Sequence, residues 1–94
     1  MKVLGLKVLY EFCSTHRDLQ EQAQSWVAEV RETTWQTPLD IKTRYASASF
    51  LSGNRVIFNL KGNKYRLLVL VNFKSQVVII KDVDTHAEYD KWEL

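Results

Sequence analysis

Apolar residues recur every three or four positions in the first half of this chain and every second position from about residue 55 onward. The first spacing puts apolar side chains on one face of a helix, and the second puts them on one face of a strand. A chain that changes period in this way builds helices first and a meander afterwards, which is the α+β class. Leu6, Leu9, Tyr10 and Cys13 mark a helix to about Thr15, preceded by a short strand at Lys2–Leu4. Asp18 with Glu21 three positions on reads as the capped start of a second helix, whose apolar stripe is Leu19, Ala23, Trp26, Val27 and Val30. Thr37 before Pro38 opens a short helix through about Arg44, since proline suits the first helical position.

Beyond the helices, Ala46–Leu51 reads as a strand and Ser52-Gly53-Asn54 as a turn. Val56, Phe58 and Leu60 share one face of the next strand, and Lys61-Gly62-Asn63-Lys64 has hairpin-turn chemistry, because Gly and Asn tolerate positive φ. Tyr65, Leu67, Val69, Val71 and Phe73 then face one way, with Arg66, Leu68, Leu70, Asn72 and Lys74 facing the other. After a second turn at Lys74-Ser75-Gln76, Val77–Val83 forms the last strand. Thr85 followed by Glu88 caps a short C-terminal helix or single turn over His86–Trp92. Helices packed on an antiparallel sheet with a short C-terminal helix, in a single domain over 1–94, is the expected architecture.

Several classes of function are excluded. An apolar content of 46% with 26% charged residues is that of a folded chain rather than a disordered one. The longest purely apolar run, Leu67–Val71, is far short of the ~20 residues that span a bilayer. No secretory signal is visible, and a lone Cys13 forms no internal disulfide, so a reducing cytoplasm is expected. One Cys and two His do not make a structural zinc site, and no metal or other cofactor is expected.

Charge is distributed unevenly. Residues 1–40 carry four basic and six acidic side chains. Residues 41–81 carry eight basic ones (Lys42, Arg44, Arg55, Lys61, Lys64, Arg66, Lys74 and Lys81) and no acid. Residues 82–94 carry Lys91 against five acids, so the formal net charge of +2 conceals a strongly basic centre. Such a block suits a polyanion, whose condensed counterions are released on binding. Lysines on a solvated sheet face that only suppress edge-to-edge association would leave the same pattern.

The residues able to carry chemistry sit in and just after this block. His86 and Tyr89, three apart on one helical turn, can both move protons, although a packed histidine and a core-closing tyrosine have the same spacing. Arg66 lies in an otherwise apolar strand, where a guanidinium must be paired or line a cavity. It suits a scissile phosphate, and equally an ion pair with Asp82 or Asp84. Asn63, Lys64, Lys74, Lys81 and Lys91 are candidate RNA contacts. Tyr45, Phe50 and Tyr65 have the rings to stack on bases or to fill the core. Trp26 and Trp35 read as packing, Trp92 as cover for the end of the sheet, His16 as a cap for the negative end of the first helix, and Cys13 as an inert buried thiol.

The stretch Arg55-Val56-Ile57-Phe58-Asn59-Leu60-Lys61-Gly62-Asn63-Lys64-Tyr65-Arg66-Leu67, followed by Thr85-His86-Ala87-Glu88-Tyr89-Asp90-Lys91, closely resembles the HigB family of bacterial toxins. The family often has an acidic residue where this chain has Ser49, and the segment before Arg55 is short here. The resemblance implies a RelE-like, microbial ribonuclease-type fold. It also implies mRNA cleavage on translating ribosomes and neutralisation by a HigA-type helix-turn-helix antitoxin. For such a cleavage the ribose 2′-OH attacks the adjacent phosphate, which needs a base, an acid and cations on the phosphate oxygens. Arg66 is expected to hold the phosphate, with Lys64 and Lys74 assisting, and His86 and Tyr89 to exchange protons. The basic block lacks carboxylates for magnesium, so a two-metal route is disfavoured. The rival reading is a non-catalytic RNA- or ribosome-binding module using the same basic sheet.

Overall fold

A computed structural model describes residues 1–92 and Leu94. The chain runs β1 (Lys2–Leu4), α1 (Leu6–Thr15), α2 (Arg17–Glu32), α3 (Pro38–Arg44), β2 (Ser49–Leu51), β3 (Arg55–Leu60), β4 (Tyr65–Asn72), β5 (Val77–Thr85) and α4 (His86–Tyr89). The sheet order is β1-β5-β4-β3-β2, so the antiparallel meander β2 to β5 is extended by β1, which pairs parallel with β5. The fold is α+β, with one face of the sheet covered by helices.

The helix-side core is built from the two predicted stripes. Leu9, Cys13, Leu19, Ala23, Trp26, Val27 and Val30 meet Val56, Phe58, Leu60, Tyr65, Leu67, Val69, Val71, Val78, Ile80 and Val83, all buried. Trp26, Trp35 and Tyr45 gather round Phe58, with ring centroids 5.4, 6.2 and 5.1 Å away. Tyr45 and Tyr65 therefore pack inside rather than offering rings to bases, while Phe50 stays exposed with the Lys42 ammonium 6.0 Å from its ring. The entry into α1 depends on Gly5, whose φ is 82° and where a Cβ would stand 2.5 Å from the Ile80 carbonyl oxygen.

Thr37 caps α3 as expected, in a full capping box with Asp40. The start of α2 differs. One residue, His16, separates α1 from α2 and occupies the N-cap position without a side-chain bond, so Asp18 lies inside the first turn. Its carboxylate is drawn away by the β4 hairpin, as described below. His16 does close α1: Nδ1 lies 3.0 Å from the Phe12 carbonyl, and its ring stacks on Phe12. A carbonyl only accepts, so Nδ1 carries the proton there.

Two further departures lie in the meander. In the β3–β4 turn the left-handed φ values fall on Lys61 (51°) and Gly62 (65°), not on Asn63. In β5 the register passes from Val69↔Ile80 to Leu68↔Asp82, leaving Lys81 as the extra residue of a β-bulge. The bulge changes which parity faces inward, so Val78 and Ile80 are buried before it and Val83 after it. β5 also runs past Val83 to Thr85, because Asp84 and Thr85 still pair with Arg66 and Tyr65.

Candidate active site

Alternation along β4 fixes where Arg66 points. Tyr65 and Leu67 are buried on the helix side, which places Arg66 on the opposite, open face, with Asn59 of β3 and Asp84 of β5 as its cross-strand partners. The ion pair with Asp82 or Asp84 does not form. Asp82 Oδ1 instead accepts the Val83 N–H and Asp84 Oδ1 the Thr85 N–H, each at 2.8 Å. Burial, more than its neighbours, pushes the Asp82 carboxyl above its ordinary range. The Arg66 guanidinium lies over the Tyr89 ring, with Cζ 5.3 Å from its centroid, and makes a long contact of 3.4 Å with the Asn63 carbonyl.

Tyr89 arrives there through α4. Thr85 caps this turn by accepting from Glu88 N–H at 3.2 Å, and the His86 N–H donates to the Lys64 carbonyl at 2.9 Å. The turn is thereby hung from the first residues of β4. The His86 and Tyr89 rings lie nearly parallel with centroids 6.4 Å apart, and Trp92 packs edge-on against Tyr89 at 5.2 Å. Arg66, Tyr89 and His86 thus form one continuous cluster, with His86 exposed and the other two half-buried. The Leu94 carbonyl accepts from Arg55 Nη1 at 3.1 Å on β3.

The predicted cations fall into three groups. Lys64 and Lys91 are held by acids: Lys64 Nζ is 2.6 Å from Asp18 Oδ2, and Lys91 Nζ is 3.2 Å from Glu88 Oε1. Asp18 also accepts from the Tyr65 hydroxyl at 2.7 Å, and these bonds, that of Lys64 first, lower its pKa to about 2. Lys81 is exposed on the bulge, level with Leu68, and has no ion pair among the described residues. Lys74 follows the far end of β4, eight positions beyond Arg66, so about 25 Å of strand separates the two. Asn63 stands at the hairpin tip next to Arg66. Among the described residues no three His, Cys, Asp or Glu side chains gather to hold a metal.

Asn59 was not among the residues singled out from sequence, although its position was accessible. Counting outward from the Lys61–Lys64 turn pairs Leu60 with Tyr65 and Asn59 with Arg66, which is the register observed. The partnership of Asp18 with Lys64 left no such signal, because it joins residues 46 positions apart.

A family model described as the HigB toxin, the RelE-like toxic component of a toxin–antitoxin system, matches residues 19–92. The chain belongs to the HigB toxin family. The matched stretch runs from within the first turn of α2 through α4 and so includes Arg66, His86 and Tyr89. This HigB-family chain is 30% identical over 64 residues to the mRNA interferase HigB of Escherichia coli O6:H1 strain CFT073, covering 66% of this chain and 62% of that one. It is 47% identical over 34 residues to the mRNA interferase toxin HigB of Escherichia coli K12, covering 36% and 33%. The alignments thus span less than two thirds of either relative. No helix among the described residues is long and apolar enough to cross a membrane.

Proposed function

We propose that this HigB-family chain is an endoribonuclease that cuts mRNA without a metal, acts on translating ribosomes and is neutralised by a HigA-type antitoxin. The carrying observation is the cluster on the open face, where a guanidinium, a phenol and an imidazole lie in sequence from Arg66 through Tyr89 to His86. Those are the groups a 2′-OH attack requires. As the 2′-oxygen bonds to phosphorus, one side chain takes its proton and another gives a proton to the departing 5′-oxygen, leaving a 2′,3′-cyclic phosphate. Arg66 lies where its N–H groups can hold the phosphate oxygens as charge grows on them. The names borne by the relatives, mRNA interferases, point the same way.

Lys64 and Lys91 each share their charge with an exposed acid, whereas Arg66 and Lys81 have no ion pair among the described residues. A ribosome that already presents a splayed mRNA relieves this small site of much of the positioning cost. Primer extension on one defined mRNA, with and without translating ribosomes and with His86→Ala alongside, tests the reading. Cuts that require ribosomes and vanish in the variant are expected. Folded protein that binds RNA yet gives no cut in any lane would instead make this a binding module.

A further inference from the structure

Arg66 and Asp84 face each other across β4 and β5 on the open side of the sheet. Cross-strand partners start with their Cβ atoms about 5 Å apart, close enough for a guanidinium and a carboxylate to pair. They do not pair. Arg66 turns to the Tyr89 ring and the Asn63 carbonyl, and Asp84 Oδ1 accepts the Thr85 N–H of its own strand. An ion pair in contact with water contributes little, so the open arrangement costs the fold little. The second Asp84 oxygen has no hydrogen-bond partner among the described residues. Asp84 is half-buried, and the one buried side-chain polar atom left without a partner there belongs to Trp26, so this oxygen is open to solvent.

The neighbouring acids are placed differently. Asp82 lies opposite Leu68, about 7 Å further along the strand. Glu88 is paired with Lys91. On its other side Arg66 faces Asn59, a neutral amide whose Nδ2 is bound to the Ser47 carbonyl. Asp84 is therefore the one carboxylate that the register sets directly across from the guanidinium among the described residues. In the proposed cleavage the attacking 2′-oxygen belongs to the nucleotide whose phosphate is attacked. A base for its proton must come within about 3 Å of that oxygen, and so must stand beside the group that holds the phosphate. Asp84 has that place, whereas the His86 imidazole is reached from Arg66 only past the Tyr89 ring.

We infer that Asp84 is the general base of the cleavage and His86 its general acid. The inference rests on the endoribonuclease reading and deepens it by dividing the two proton transfers. The 2′-O–H bond breaks and its proton passes to the open Asp84 oxygen as the 2′-oxygen bonds to phosphorus. The bond from phosphorus to the 5′-oxygen breaks, and the His86 imidazolium protonates the departing oxygen, leaving the 2′,3′-cyclic phosphate. Solvent then takes the proton from Asp84 and returns one to His86. Tyr89 holds the guanidinium between them.

Asp84→Asn keeps an oxygen for the Thr85 N–H and removes only the charge, so its rate reads proton transfer rather than position. Cleavage is followed on ribosomes programmed with one mRNA, and with the same mRNA carrying sulfur in place of the 5′-oxygen at the cut. A thiolate leaves without a proton, so the sulfur substrate relieves the loss of an acid but not of a base. Asp84→Asn should cut about 100-fold more slowly than wild type on both substrates. His86→Ala should be slow on the oxygen substrate and approach the wild-type rate on the sulfur one. Asp82→Asn should stay within about threefold of wild type on both. Asp84→Ser should match Asp84→Asn, and it replaces that variant if the latter does not fold. A folded Asp84 variant that cuts at the wild-type rate overturns the inference and leaves the nuclease reading standing. So does one that sulfur restores, which would make Asp84 the acid, and so does an equal loss in Asp82→Asn. Wild-type protein that cuts neither substrate ends the nuclease reading, and the inference with it.

Discussion

The role proposed for Arg66 depends on its being an arginine. Its planar guanidinium lies over the Tyr89 ring and still has donors to spare, whereas a lysine presents a compact, strongly hydrated charge. Arg66→Lys should therefore cut less by about 100-fold, read by primer extension. Because Arg66 is only half-buried, the melting temperature should change by no more than about 5 °C. Asp18 is the converse case, a residue whose charge matters to its neighbours. Lys64 and Tyr65 hold its carboxyl at about 2, below its ordinary value of 3.8. The folded chain therefore binds fewer protons there than the unfolded chain, and stability rises with pH across that interval. The advantage of the native protein over Asp18→Asn should be complete above about pH 5 and shrink as pH falls from about 4 towards 2. Urea unfolding of both proteins across this range checks the sign, and a gap that widened on acidification would contradict it.

Within β5, a single extra residue keeps both faces of the sheet correct. Lys81 bulges outward between Ile80 and Asp82, which pair with the consecutive residues Val69 and Leu68. Deleting Lys81 should leave a regular strand with Ile80 and Val83 still inward, and a folded protein destabilised by no more than about 2 kcal/mol. Deleting Ile79 instead should draw Lys81 into the bulge-free register opposite Val69, facing the core, and unfold the chain. Circular dichroism and thermal melting of the two deletions distinguish them. The bulge was not legible, since Val77-Val78-Ile79-Ile80 is apolar at every position and does not say which parity faces inward. The hairpin register and the caps at Thr37 and Thr85 were legible because each is set by residues within a few positions of one another.

At the scale of the molecule, charge in the sequence is not charge available to a ligand. Eight basic residues lie between positions 41 and 81, yet Lys64 is paired with Asp18 of α2. Lys74 ends up at the other end of β4 from Arg66. The salt dependence of RNA binding should record this. For a short single-stranded RNA, Lys81→Ala should lower the slope of log affinity against log salt by about 0.7, and Lys74→Ala should leave it nearly unchanged. Equal effects of the two would mean that the RNA runs the full length of β4. Sequence by itself determined the elements and the two apolar faces that close the core, and it singled out Arg66, His86 and Tyr89, which the fold brings together. Period, turn and cap are local properties, and the chain cannot satisfy them in many ways. Tertiary structure alone decided that Asp18 leaves its expected cap to hold Lys64 and that Arg66 turns to Tyr89 rather than to Asp84. Each of these joins groups at least 18 positions apart, whose pairing depends on distances that exist only once the helices are packed on the sheet.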